Sequence, residues 1–232
     1  MNIPNPTSQP TTPTPPVAPD DAARALSTAE ISDALDALGL PGSAQGIRHI
    51  AGTKKIMGPA FTVRLIPISR AEPGTVGDFI DDVPAGAVVV IDNGGRLDCT
   101  VWGGILSRVA AQRGIAGTVV HGTCRDTAEA DAVGYPLYAT SSFMRTGKDR
   151  VQVEAVNGPV SLGDVRVMPG DLVCADADGV VVIPAAQAEA VLAKALVTRE
   201  KEERILEAAL AGQPLREARK QFGYHTLQRA GT

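Results

Sequence analysis

The sequence predicts an α/β protein, and three observations carry that prediction. Hydrophobic residues make up 44% of the 232-residue chain while aromatics make up only 3%, so the core is built from Val, Ile, Leu and Ala. Continuous β-branched runs at Ala87 to Ile91 and from Thr118 read as strands covered on both faces. Helical segments near Val76, Gly104 and Thr127 alternate with strands through Ala139, a βαβ rhythm.

The elements follow in order. Residues 2 to 19 are rich in Pro and Thr and carry no charge before Asp20, which predicts a disordered tail over 1–22. With neither a basic leader nor an apolar stretch, it is no secretory signal. Ser27 and Glu30 form a capping box, Leu26 and Ile31 a hydrophobic staple, and Ile31, Leu35 and Leu38 one apolar face ending at Gly39. A strand is expected from Ala60 to Ile66, a short helix from Val76 to Ile80, and a turn at Pro84-Ala-Gly86 into the Ala87 strand.

A loop from Asn93-Gly94-Gly95 ends at Trp102-Gly103-Gly104, where a helix runs to Gln112 and stops at Gly114. Next comes Thr118-Val119-Val120-His121-Gly122-Thr123-Cys124-Arg125-Asp126, in which the β-branched run is a buried strand and Gly122 loosens the turn after it. Asp126 and Glu129 then open a helix from Ala128 to Val133 as a second capping box. Residues 151 to 183 read as short strands with turns at Pro169-Gly170-Asp171 and Asp176 to Gly179. A long helix from Ala185 to Ala211 follows, apolar at Val191, Leu192, Ala195 and Leu196 and charged from Arg199 to Glu207, where a solvated face is expected.

Composition also excludes functions. The net charge of −4 argues against a nucleic-acid surface, and no apolar run reaches the roughly 18 residues that cross a bilayer. Cys99, Cys124 and Cys174 are odd in number without C-x-x-C spacing, as for reduced thiols in a cytoplasmic protein. Cys124 has no paired base and makes a poor nucleophile candidate. Thr146-Gly147-Lys148 lacks the upstream glycine of a phosphate loop, and His49, His121 and His225 are too scattered for zinc. His121 reads either as a strand-end histidine or as a pocket-lining one.

Arg125-Asp126 is the most informative pair. A cation and a carboxylate leave one strand end together, which suits an anionic oxo-acid held by the guanidinium and a divalent metal held by the acid. The competing reading gives Asp126 a helix cap and Arg125 a surface ion pair. Gly103, Gly104, Ile105 and Leu106 open a helix whose free N–H groups suit a carboxylate.

Gly104, twenty intervening residues, Arg125-Asp126, two residues and Glu129 resemble the signature of the RraA-like / 4-hydroxy-4-methyl-2-oxoglutarate aldolase family. The flanks Gly86-Ala-Val-Val-Val-Ile-Asp92, Val167-Met-Pro-Gly-Asp171 and Asp176-Ala-Asp-Gly-Val-Val-Val-Ile-Pro184 resemble it too, and the likeness runs from Ser27 to Gly212. The resemblance implies a swivelling β/β/α single domain over 23–213 with a long C-terminal helix, then an extension over 214–232. It also implies a homotrimer or homohexamer, and a divalent Mg²⁺ or Mn²⁺ on Asp126. Arg125 and Asp126 become the catalytic residues, and an acid from the neighbouring subunit, Glu202 or its rival Glu200, completes the site. The reaction implied is cleavage of small 2-oxo dicarboxylic acids to pyruvate, by retro-aldol chemistry or by decarboxylation of oxaloacetate. The family also contains a protein regulator of ribonuclease E, a binding reading without catalysis. In the aldolases an acid often stands where this chain has Gly104. A metal-bound water, Asp98 or a neighbour's glutamate is left as the proton acceptor that retro-aldol cleavage needs.

Overall fold

A computed structural model describes residues 19–226. The first eighteen residues of the expected tail lie outside the described residues. Its last ones are ordered: Asp20 caps helix α1 (Asp21–Ala25) by accepting the Ala23 N–H at 2.8 Å, which corrects the tail boundary. Helix α2 (Thr28–Ala37) begins at the expected capping box, with Ser27 and Glu30 bonded reciprocally. Leu26, Ile31 and Leu35 are buried, but Leu38 is 42% exposed, because the helix ends at Ala37 and the chain turns there through Gly39.

The strands are β1 (Ser43–Ala44), β2 (Arg48–Ala51), β3 (Ile56–Pro67), β4 (Val88–Asp92), β5 (Gly117–Cys124), β6 (Leu137–Ser142), β7 (Val151–Val156), β8 (Val160–Leu162), β9 (Val165–Val167), β10 (Leu172–Ala175) and β11 (Val180–Ile183). Helices α3 (Gly104–Gln112) and α4 (Thr127–Ala132) join β4 to β5 and β5 to β6. The long helix α5 (Ala188–Leu210) and the short α6 (Leu215–Gln221) end the chain. A 3-10 turn (Asp78–Asp82) stands where the short helix near Val76 was expected.

Strand β3 organises the sheet, whose path runs β1-β11-β10-β3-β4-β5-β6-β2. Its first residues, Ile56 to Pro59, pair antiparallel with β10, and residues Ala60 to Arg64 pair parallel with β4. Its far end pairs antiparallel with β7. β4, β5 and β6 continue in parallel, as the βαβ rhythm requires, with their carboxyl ends together. β8 and β9 form a separate hairpin.

Alternation along the parallel strands splits the core. Val89, Ile91, Val120, Leu137 and Ala139 face α3 and α4, while Val88, Val90, Val119 and Tyr138 face the β8–β9 hairpin. A third cluster packs α2 and α5 on β10 and β11 through Ile31, Leu35, Val191, Ala195, Val181 and Ile183. The result is the expected mixed α/β domain with a long C-terminal helix.

Two flanking motifs prove structural. Asp171 accepts N–H groups of Met168 and Ala185 and closes the Pro169 turn. Asp176 accepts both the Thr28 N–H and its hydroxyl, fastening α2 to the sheet. The charged stretch of α5 is only partly the expected solvated face, since Arg199 forms an ion pair with Glu30 at 2.6 Å and Ile205 is buried.

Candidate active site

The turn after β5 and the start of α3 open onto a cavity of about 610 Å³, lined among others by Gly103, Gly104, Ile105, Leu106, Arg125 and Asp126. The structure therefore gathers all six cavity-binding residues expected from the sequence. The site lies outside the carboxyl ends of parallel strands, where open α/β sheets generally bind ligands.

Strand β5 is longer than the sequence suggested. It runs through Gly122, at a register shift between Val120 and Thr123, and the turn falls at Arg125-Asp126 itself. The Arg125 N–H donates to the Trp102 carbonyl at 2.9 Å, tying the turn to the loop before α3. Buried Trp102 stacks on Tyr135 at 5.9 Å and donates through Nε1 to Ser107 Oγ, so the first turn of α3 is anchored from below.

Asp126 does not cap α4, which overturns the second capping box. Its backbone is left-handed, with φ of 56°, and its side chain makes no cap bond to its own helix. Instead Asp126 Oδ2 accepts the Gly104 N–H at 3.0 Å, capping α3 from across the cavity mouth. Arg125 Nε lies 3.4 Å from the same oxygen. Both side chains are about two-fifths exposed, at 38% and 40%, so the pair remains open to a ligand. A non-glycine residue in this conformation is strained by about 1–2 kcal/mol, less for Asp than for most.

Glu129, read from the sequence only as part of that cap, turns toward α3 as well. Its Oε2 accepts from Arg108 Nε at 2.9 Å. A Cβ on Gly104 would stand 2.5 Å from Glu129 Oε2, and one on Gly103 2.8 Å from Asp126 Oδ2. The two glycines thus make room for two carboxylates at the start of α3. Gly104 carries no acid, but the Glu129 carboxylate occupies the space beside it.

The other expected participants lie elsewhere. Asp98 pairs with Arg96 through two bonds of 2.9 Å and does not line the cavity; that hydrogen-bonded guanidinium lowers its pKa, which weakens it as a base. His121 faces Asp92, its Nδ1 3.6 Å from Asp92 Oδ1, and is absent from the cavity wall. Burial pushes the Cys124 thiol up to about 12, so it is no nucleophile near neutral pH. Glu200 bonds to Arg204, and Glu202 faces α2, where burial and then the charges of Asp33 and Glu30 raise its pKa. Neither lines the cavity of its own chain.

Two cavity walls had no sequence signal. Residues 74 to 81 and the segment Thr146 to Asp149 both line it. The latter is the stretch that fails as a phosphate loop. It is seated because Gly147 packs on the Thr100 carbonyl, where a Cβ would meet the oxygen at 2.5 Å.

Among the described residues no three His, Cys, Asp or Glu side chains converge as a ready-made metal cage. Asp126 nevertheless fits Mg²⁺, which keeps several waters and takes one or two carboxylates; Glu129, beside Gly104 and held by Arg108, does not itself line the cavity.

A family model described as RraA-like, Aldolase/RraA, matches residues 28–182, and the chain belongs to that family. The chain is 41% identical to protein DlpA of Legionella pneumophila over 201 residues, covering 85% of this chain but only 32% of DlpA; it spans about a third of that relative. It is 35% identical to a Halalkalibacterium halodurans protein provisionally named 4-hydroxy-4-methyl-2-oxoglutarate aldolase, over 74% of this chain and 79% of that one. The solved structure of Streptomyces coelicolor RraAS2, described as an unusual member of the RNase ES inhibitor RraA protein family, superposes with a TM-score of 0.73. Its identity is 28%, covering 82% of this chain and 98% of RraAS2.

Proposed function

We propose that this protein is a divalent-metal-dependent lyase that cleaves small 2-oxo acids to pyruvate, acting as a 4-hydroxy-4-methyl-2-oxoglutarate-type aldolase and an oxaloacetate decarboxylase. The observation that carries the reading is the convergence of Arg125, Asp126 and Glu129 on the glycine-opened N-terminus of α3. Asp126, with Glu129 beside it, would hold Mg²⁺ or Mn²⁺. When bound, the metal supplies Lewis-acid stabilisation of the enolate charge.

The chain's own groups do the rest. The Ile105 and Leu106 N–H groups at the positive end of α3 receive the substrate carboxylate. Arg125 donates to the keto oxygen, where negative charge grows as the adjacent carbon–carbon bond breaks, so its hydrogen bonds strengthen toward the transition state. Decarboxylation of oxaloacetate releases CO₂ and needs no base. Retro-aldol cleavage needs an acceptor for the 4-hydroxyl proton, and Glu129 is the carboxylate nearest the position of Gly104. An acid such as Glu202 from a neighbouring subunit completes the site in a homotrimer or homohexamer.

Pyruvate release from oxaloacetate and from 4-hydroxy-4-methyl-2-oxoglutarate, with Mg²⁺, Mn²⁺ or EDTA, tests the reading. Turnover restored by metal and removed by EDTA is expected, and no metal-dependent turnover on either substrate refutes it.

A second reading, a protein-binding regulator of a ribonuclease, rests on the likeness to RraAS2. Oxalate with Mg²⁺ mimics the enolate and raises the melting temperature only if the lyase site is real. No shift, together with a co-purifying ribonuclease, favours the regulator.

A further inference from the structure

The cavity lining has two unlike parts. Arg125, Lys148 and the glycine-opened start of α3 offer positive charge and N–H donors. Val76, Ile80, Leu106 and Val109 are apolar and pack with one core cluster, and the lining residues Asp78 and Asp81 flank Ile80 in sequence. Ile80 is buried, and the other three are partly buried against the main core, so the wall is fixed by packing. Gly77 lies against the Leu106 side chain, where even a Cβ would touch at 3.4 Å. Between residues 74 and 81 the cavity lining includes no Lys or Arg, and the segment's two charges are both negative.

A volume of about 610 Å³ also exceeds what a four-carbon acid needs, since pockets of this size enclose drug-sized ligands. A second carboxylate against these apolar side chains would lose hydration, and the charges of the lining segment that carries Val76 and Ile80 are both negative. An alkyl chain there loses only its contact with water, which is favourable.

We propose that the preferred substrate is a 4-hydroxy-2-oxo acid with an uncharged alkyl tail, whose tail lies along Val76, Ile80, Leu106 and Val109. This rests on the lyase reading for the acid head and adds the class of the tail. Cleavage breaks the C3–C4 bond. The 4-hydroxyl loses its proton, its electrons form the carbonyl of an aliphatic aldehyde, and the C3 electron pair takes a proton to give pyruvate. The step is redox-neutral and requires no co-reactant.

Isothermal titration with non-cleavable 2-oxo acids, in the presence of Mg²⁺, tests the tail apart from the chemistry. Affinity should rise on the order of threefold per methylene from 2-oxobutanoate to 2-oxooctanoate. 2-Oxohexanoate should bind more tightly than 2-oxoglutarate. Val76→Asp, with its melting temperature measured beside the parent's because Val76 packs partly against the core, should weaken the longer 2-oxo acids more than pyruvate and so flatten the alkyl series. Equal affinity along the series overturns the proposal. So does tighter binding of 2-oxoglutarate than of 2-oxohexanoate, because the apolar lining would then accept a second carboxylate. A flat series in a protein that still releases pyruvate from oxaloacetate removes the tail assignment alone. A rising series with no pyruvate from any 4-hydroxy-2-oxo acid removes the lyase reading and leaves the binding preference.

Discussion

Asp126 does two things at once, and substitutions can separate them. Its left-handed backbone and its bond to the Gly104 N–H shape the start of α3, while its exposed carboxylate edge is the proposed metal ligand. Asn also tolerates the left-handed region and its carbonyl can accept the same N–H. Asp126→Asn should therefore fold with a melting temperature close to that of the parent yet lose at least about a hundredfold in kcat/KM, on the scale of a lost electrostatic stabiliser. Equal loss of stability and activity would mean that the residue is only a cap. Arg125→Ala should lower kcat/KM by a further comparable factor, with kcat falling more than KM rises, because its bond to the keto oxygen strengthens in the transition state.

Glu129 and Gly104 make a paired test at the same scale. Gly104→Asp alone pushes a side chain into the Glu129 carboxylate and should suppress both activities. Combined with Glu129→Ala, the new acid has room, and aldol cleavage should recover relative to the single variant. Steady-state rates on both substrates check this, and a double variant no better than Gly104→Asp alone would show that position 104 tolerates no side chain. The sequence displayed these residues but not their partners. Asp126-x-x-Glu129 has the spacing of a local cap, and only the packing of α3 against α4 shows both acids turned to the neighbouring helix.

At the level of elements, the glycine-opened start of α3 depends on the stack beneath it. Trp102→Ala removes a fully buried ring with its Tyr135 stack and Ser107 bond, and should cost about 3–5 kcal/mol in chemical denaturation. A loss under about 1 kcal/mol would show that the loop before α3 is held by other contacts. On α5, burial and then the charges of Asp33 and Glu30 raise the pKa of Glu202. The folded state binds its proton more readily than the unfolded chain, so stability falls as pH rises from the unfolded value near 4.5 through the folded one. Glu202→Gln should raise the melting temperature at pH 7 and leave it unchanged at pH 3.5. An unchanged melt at both would mean that neither burial nor the charges of Asp33 and Glu30 disfavour its ionised form.

Strands were legible where the signal was local. The runs at Val88 and Val119 are apolar on both sides because α3, α4 and the β8–β9 hairpin cover both faces. Helix α2 was legible from its capping box. The end of β5 was not, since Gly122 reads as a turn by itself, whereas pairing with the parallel neighbour β6 resumes at Thr123 and Cys124 after a register shift.

For the whole molecule, the family and the mixed α/β domain follow from ordered motifs that the chain carries over most of its length. The cavity was legible only on the side built from adjacent residues. Its apolar wall joins residues 74 to 81 with α3, and its third side comes from Thr146 to Asp149, segments that meet through the sheet and have no common spacing. The lyase reading requires Arg125, Asp126 and a divalent metal to stabilise a pyruvate enolate. Exchange of the pyruvate methyl protons for deuterium, followed by proton NMR in D₂O, reads that step without any assumption about the substrate's tail. Exchange should require Mg²⁺ or Mn²⁺, stop with EDTA, and be lost in Arg125→Ala and Asp126→Asn. Exchange no faster than the EDTA control in the unaltered protein would contradict this enolate-stabilising role.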